Sequence, residues 1–122
     1  MSRFKQQGLR NTFKNARKGL RLALRSEINI RIHVCIGLIV LAAGAFLEFS
    51  AEKLCILLLT IGMVITAEML NSAIEFSLDA VFHNRYSRLV GMAKDISAGA
   101  VMVITAIAFT VGLLLFVPEV FR

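Results

Sequence analysis

Residues 54–81 read LCILLLTIGMVITAEMLNSAIEFSLDAV, and the fold turns on how this stretch is read. From Leu54 to Ala67 it carries no charge. Four polar side chains then follow at steps of three, four and four: Glu68, Asn71, Glu75 and Asp79. No Pro or Gly stops a helix between Ala67 and Val81. On an α-helix the four polar positions fall within an arc of about 80°, so they share one side. As one helix, the 28 residues would rise about 42 Å, against about 30 Å of bilayer hydrocarbon. The segment therefore reads as a membrane span whose last two turns project into the headgroup region. Glu68 then lies about 8 Å inside the hydrocarbon, with Glu75 near its boundary and Asp79 beyond it.

Two further apolar stretches flank this one, at about residues 30–47 and 96–117. The first is short for a span, so Arg31 is expected to snorkel to the boundary, with His33 near its start. The second has no charge and is expected to end at Pro118. Its small cluster Ala98-Gly99-Ala100 suits close approach by another helix. Ahead of all three lies a stretch at about residues 3–25, with Leu9, Phe13, Ala16, Leu20 and Ala23 at steps of four and three. Arg10, Lys14, Arg17, Lys18, Arg21 and Arg25 fill most of its remaining surface. This pattern describes a basic amphipathic helix lying in the headgroup plane. The expected fold is thus an all-α integral membrane protein of one domain, residues 1–122, with a surface helix and three transmembrane helices.

Composition supports this. Hydrophobic residues make up 57 % and charged residues 18 %, with a mean hydropathy of +0.75. A soluble chain this short could not hide so much apolar surface from water. The net charge of +6 is concentrated near the start, where nine of the 14 Lys and Arg residues fall within the first 31 positions. Basic residues beside a span report orientation and contact with anionic lipid, and no groove-reading module argues for nucleic acid. The stretch before the first span is polar and basic, unlike a signal peptide. Cys35 and Cys55 lie in apolar runs without metal-ligand spacing and are expected to be buried free thiols. Arg85, Arg88 and Lys94 follow the second span, whereas the first link has only Lys53 and the C-terminus only Arg122. The positive-inside rule puts the N-terminus and second loop in the cytoplasm and the C-terminus outside, in a bacterial inner (cytoplasmic) membrane.

An aligned polar stripe inside a membrane needs a partner. The carboxylates could pair with basic residues of the first helix in a purely structural scaffold. They could couple protons in a small oligomeric transporter. Or they could hold a divalent metal and a phosphate donor, since Mg²⁺ favours hard oxygen ligands and uses one or two carboxylates plus phosphate oxygens. Glu27 before the first span, and Lys94 with Asp95 before the third, fit phosphoryl transfer. No G-x-x-x-x-G-K-[ST] loop is present, so any nucleotide site is of another kind.

The string Glu68-Met69-Leu70-Asn71-Ser72-Ala73-Ile74-Glu75, followed by Asp79, resembles the signature of the prokaryotic diacylglycerol kinase family. Ala93-Lys94-Asp95 before a small-residue span is similar to that family's second block, and Glu27 matches a third position. The resemblance covers nearly the whole chain. It implies a homotrimer with active sites shared between subunits, transferring the γ-phosphate of Mg-ATP to the primary hydroxyl of a membrane lipid. It further implies Glu68 as general base, Asn71 as positioning the reacting groups, and Glu27 and Glu75 as Mg²⁺ ligands. Lys94, Asp95 and Tyr86 would contact ATP, and Arg10 and Arg31 the lipid substrate, with Arg17 an alternative to Arg10.

The chain departs from the family pattern in places. Leu78 stands where Val is usual, and the loop His83-Asn84-Arg85-Tyr86-Ser87 is shifted, so His83 is given no role. Two acceptors occur in the family, diacylglycerol and undecaprenol. The stretch Glu27-Ile28-Asn29-Ile30-Arg31-Ile32-His33 and the absence of Trp resemble the undecaprenol branch more closely.

Overall fold

The computed structural model describes residues 8–122. They form four helices: α1 (Leu9–Ser26), α2 (Ile28–Phe46), α3 (Ala51–Phe82) and α4 (Arg88–Val120). Positions 3–7 of the expected first helix lie outside the described residues. No strand occurs among the described residues. The expected long helix is a single helix, α3, extended at its start to Ala51. Ser50 caps it, its hydroxyl accepting from the Lys53 backbone N–H at 3.3 Å. Glu52 adds an acidic side chain to the first turn, where the helix dipole favours it.

The helix ends follow local chemistry. α1 and α2 are separated only by Glu27, whose extended backbone (φ −118°, ψ 108°) breaks the helical path. His83 ends α3 in the left-handed conformation (φ 52°), followed by Asn84 at φ 61°. Asn tolerates this region better than most residues. Ser87 then starts α4, its hydroxyl accepting from the Val90 N–H at 3.2 Å. The expected stop at Pro118 is corrected, because α4 runs on to Val120. A proline in the last turn removes only one backbone donor, and the turn still closes through Phe121 N–H donating to the Val117 carbonyl at 3.2 Å.

Helix α3 is the middle element, packed on α2 along one side and α4 along another. Its contact with α2 is made close by glycine. A Cβ on Gly37 would stand 2.6 Å from Ile61 Cγ2, and one on Gly44 3.0–3.4 Å from Phe49, Leu57 and Leu54 side chains. Gly37, Gly44, Leu57 and Val64 are all buried along this seam. The contact with α4 is closed at the link end of the bundle. There Lys53 Nζ donates to Glu119 Oε1 at 2.7 Å, and Phe49 packs against Phe116 with the rings tilted and their centroids 4.9 Å apart. Lys53 also lies 5.4 Å from the Phe49 ring centroid. Cys35 and Cys55 are free, as expected, but exposed on the helix surfaces rather than buried, because both lie off the seam.

The three helices α2, α3 and α4 are each long and apolar enough to cross a membrane, at 19, 32 and 33 residues. Large apolar side chains such as Ile39, Leu59, Met102 and Leu114 cover their outer faces, a surface that water does not tolerate but hydrocarbon does. At 1.5 Å per residue α2 spans about 28 Å, whereas α3 and α4 reach about 48–50 Å. The short link and the Lys53–Glu119 contact keep α2, α3 and α4 together at one end. The surplus length of α3 and α4 therefore extends past α2 at the other end, where α1 joins.

The glycine seam can be tested directly. Gly37→Val should lower thermal stability in detergent micelles by about 1–3 kcal/mol, the usual cost of overpacking. Adding Ile61→Ala, which removes the clashing methyl, should recover part of that loss; a Gly37→Val variant with an unchanged Tm would refute the close contact.

Candidate functional site

The polar residues of α3 gather toward the α1 end of the bundle. Glu68 is buried (8 % exposed) although it lies in the apolar part of the helix. Burying a carboxylate without a partner is costly, and among the described residues its one ion-pair contact is His33. Nδ1 of His33 stands 3.2 Å from Glu68 Oε1. One turn further, the Ser97 hydroxyl donates to Asn71 Oδ1 at 2.7 Å, joining α4 to α3. Two turns beyond that, Lys94 Nζ donates to Asp79 Oδ1 at 2.6 Å. Both side chains of this last pair are about one-third exposed.

These three contacts form a ladder from the interior of the bundle to its end. They share a cause. The antiparallel pairing of α3 with α4 sets Asn71 opposite Ser97 and Asp79 opposite Lys94, while pairing with α2 sets Glu68 opposite His33. Asn71 and Asp79 thereby each meet a polar group of α4, and Glu68 faces one of α2.

The remaining sequence-nominated residues are placed but not joined to this ladder. Glu27 sits at the α1–α2 junction and caps α2 with its backbone only, its side chain making no capping bond. Glu75 is half-buried on the same stripe as Glu68 and Asn71. Neither the Glu27 nor the Glu75 carboxylate takes part in an ion pair among the described residues. Asp95 is exposed on α4. Tyr86 is also exposed, with its ring set against Gly91, where a Cβ would stand 3.0 Å from the ring. Arg10 is exposed on α1. Arg31 reaches back to the end of α1, Nη1 lying 3.5 Å from the Arg25 carbonyl oxygen. No three His, Cys, Asp or Glu side chains converge into a metal-binding group among the described residues.

Two contributors were not picked out in the sequence. Ser97 lies in the small-residue stretch, and its signal was the three-residue step from Lys94, which puts both on one face of α4. His33 was noted only for its place at the start of a span. Its partner could not be read without knowing how α2 and α3 are registered. Below the Glu68–His33 contact, toward the link end, lies an apolar cavity of about 420 Å³. His33, Gly37, Ile61, Val64, Thr105 and Phe109 are among its walls, so all three spans contribute.

Comparison with known proteins adds independent information. The family described as prokaryotic diacylglycerol kinase matches residues 14–116 of the chain. Undecaprenol kinase of Bacillus subtilis is 35 % identical over 108 residues, covering 88 % of this chain and 87 % of that protein. Diacylglycerol kinase of Synechocystis is 35 % identical over 107 residues, which is 88 % of this chain but 61 % of that longer protein. Diacylglycerol kinase of Escherichia coli K12 is 32 % identical over 91 residues, 75 % of this chain and 74 % of that protein.

The Asn71–Ser97 bond should be structural as well as local. Ser97→Ala leaves the Asn71 side chain short of a donor in a half-buried site, and should cost about 1–3 kcal/mol in unfolding measured in micelles. A cost near zero would mean that water or another side chain serves Asn71 instead.

Proposed function

The chain belongs to the prokaryotic diacylglycerol kinase family, and we propose that it transfers the γ-phosphate of Mg-ATP to the primary hydroxyl of a membrane lipid alcohol. Of the two acceptors named by its relatives, undecaprenol is the one proposed, with diacylglycerol the alternative. The observation that carries the reading is the placement of Glu68. It is a buried carboxylate on an apolar helix, and the stripe that begins with it ends in a lysine-bearing pair at the bundle's end.

Position is compatible with each role that the family resemblance implies. A lipid hydroxyl rides just below the headgroups, where Glu68 can take its proton as the oxygen attacks phosphorus. Asn71, one turn on, positions the reacting groups. Phosphoryl transfer needs little covalent chemistry from the protein, so alignment and charge neutralisation do most of the catalysis. Lys94 supplies positive charge for ATP phosphates once it exchanges Asp79 for them, with Asp95 and Tyr86 beside it on the nucleotide. Arg10 and Arg31 contact the lipid headgroup region.

Glu27 and Glu75 suit Mg²⁺ as a pair of hard oxygen donors not engaged by a cation among the described residues. Mg²⁺ needs only one or two carboxylates when phosphate oxygens and water complete its shell, so a three-residue cluster is not required. When bound, the ion neutralises charge on the β- and γ-phosphate oxygens.

The assembly proposed is a homotrimer with active sites shared between neighbouring subunits. Among the described residues Glu27, Asp95 and Tyr86 make no ion pair or side-chain hydrogen bond with the Glu68–Asn71–Asp79 ladder, which leaves a role for a second subunit in completing the site. Helix α1 lies in the plane of the headgroups as an amphipathic surface helix, with Leu9, Phe13 and Leu20 exposed at helical spacing for burial in lipid. With basic residues on α1 and beside Lys94, the N-terminus faces the cytoplasm of a bacterial inner membrane and the C-terminus lies outside. The chemistry then takes place at the cytoplasmic face, where ATP is available.

The test is transfer of labelled phosphate from ATP by purified protein in mixed micelles, with undecaprenol and diacylglycerol offered separately. Labelled lipid should form only with Mg²⁺, and Glu68→Gln should lower kcat by about 10²- to 10⁴-fold, the range for losing a general base. Failure to label either lipid would remove the kinase reading and favour ion coupling by the α3 carboxylates. Normal turnover in Glu68→Gln would remove only the base assignment.

A further inference from the structure

We infer that His33 is a positioning residue for Glu68, holding one carboxylate oxygen so that the other faces the acceptor hydroxyl; this rests on the reading of Glu68 as the base. The geometry supplies the reason. His33 Nδ1 lies 3.2 Å from Glu68 Oε1, with the two side chains 27 % and 11 % exposed. Nδ1 is itself buried and has no hydrogen-bond partner among the described residues. The two groups are thus within reach but not aligned, and a modest turn of the imidazole about χ2, a broad torsion in His, completes the bond. A buried ring nitrogen left without a partner beside a carboxylate calls for a use.

The protons decide what that use is. Once the ring is turned, two lone pairs would face each other at this distance and repel, so the aligned pair must hold a proton between them. A base must be ionised before it acts, which places the proton on Nδ1, donating to Oε1. Oε2 is then the oxygen left to act. In the transfer step the hydroxyl O–H bond breaks and its proton goes to Oε2. The hydroxyl oxygen forms its bond to the γ-phosphorus as the bond from that phosphorus to the β–γ bridging oxygen breaks, and ADP leaves. The Nδ1 proton stays on His33 throughout.

Packing alone would not need a histidine here. The ring lines the apolar cavity between the three spans, a wall in which Glu68 has no part, and stands 3.2 Å from that carboxylate. Leucine or phenylalanine would also separate the carboxylate from that space. Only a side chain with an N–H at the Nδ1 position would also fix the direction of the carboxylate. Glu68 needs that help because it stands on a helix with no other ion-pair partner among the described residues.

The experiment compares His33→Leu and His33→Asn in the full chain, assayed in micelles with undecaprenol and labelled ATP. The amide nitrogen of Asn sits as many bonds from Cβ as Nδ1 does. His33→Leu should lower kcat on the order of 100-fold, the scale of a misplaced reacting group, with KM for ATP unchanged. His33→Asn should regain most of that loss. In a Glu68→Gln background, His33→Leu should cause no further loss. Wild-type kcat in His33→Leu, or a His33→Asn variant as slow as His33→Leu, overturns the inference. If His33→Leu does not fold, His33→Gln, with its amide one carbon farther out, takes its place. Asn faster than Gln supports the inference, and equal rates overturn it. A fully active Glu68→Gln would instead mark failure of the base assignment, a separate result.

Discussion

A carboxylate within the thickness of a bilayer has no water to solvate it, and the rest of this structure is arranged around that constraint. Glu68 lies on the apolar part of α3 and is buried in the chain, where solvation must come from protein. The one ionisable contact that the described residues supply is His33, from the neighbouring span. That contact requires α2 to come close to α3, and the small residues Gly37 and Gly44 let it do so. A polar requirement in one helix thus sets the packing of another.

The same rule continues along α3. Asn71 is met by Ser97 and Asp79 by Lys94, each partner delivered by the antiparallel course of α4. The two ends of the bundle are treated differently. At the link end, Lys53, Glu119, Phe49 and Phe116 form a compact clasp that fixes the register of α3 against α4. At the other end, α3 and α4 outrun α2 and carry their polar groups toward α1. The clasp therefore places the site at a distance, because surplus helix length can appear only at the end left open.

The site is also uneven in its demands. Glu68 and Asn71 have partners within the chain, whereas Glu27, Glu75 and Asp95 make no ion pair among the described residues. Carboxylates left without a cation among these residues are suited to meet one from outside them. Lys94 holds an intermediate place, paired with Asp79 but exposed enough to change partner.

Much of this was legible in the amino-acid order. The three spans, the first helix and the α3 stripe all follow from short-range periodicity, because an α-helix maps sequence spacing directly onto its faces. Glu68, Asn71 and Glu75 could be placed on one side of a helix without any tertiary information. The helix ends were less legible: Pro118 does not stop α4, since a proline in the last turn removes a single backbone donor. The pairings His33–Glu68, Asn71–Ser97 and Lys94–Asp79 were decided by tertiary structure alone. They depend on the register between helices, which is set by contacts such as Gly37 against Ile61 and Lys53 against Glu119, between residues far apart in the chain. Local spacing says which way a side chain points; only the packing of one helix on another says what it meets.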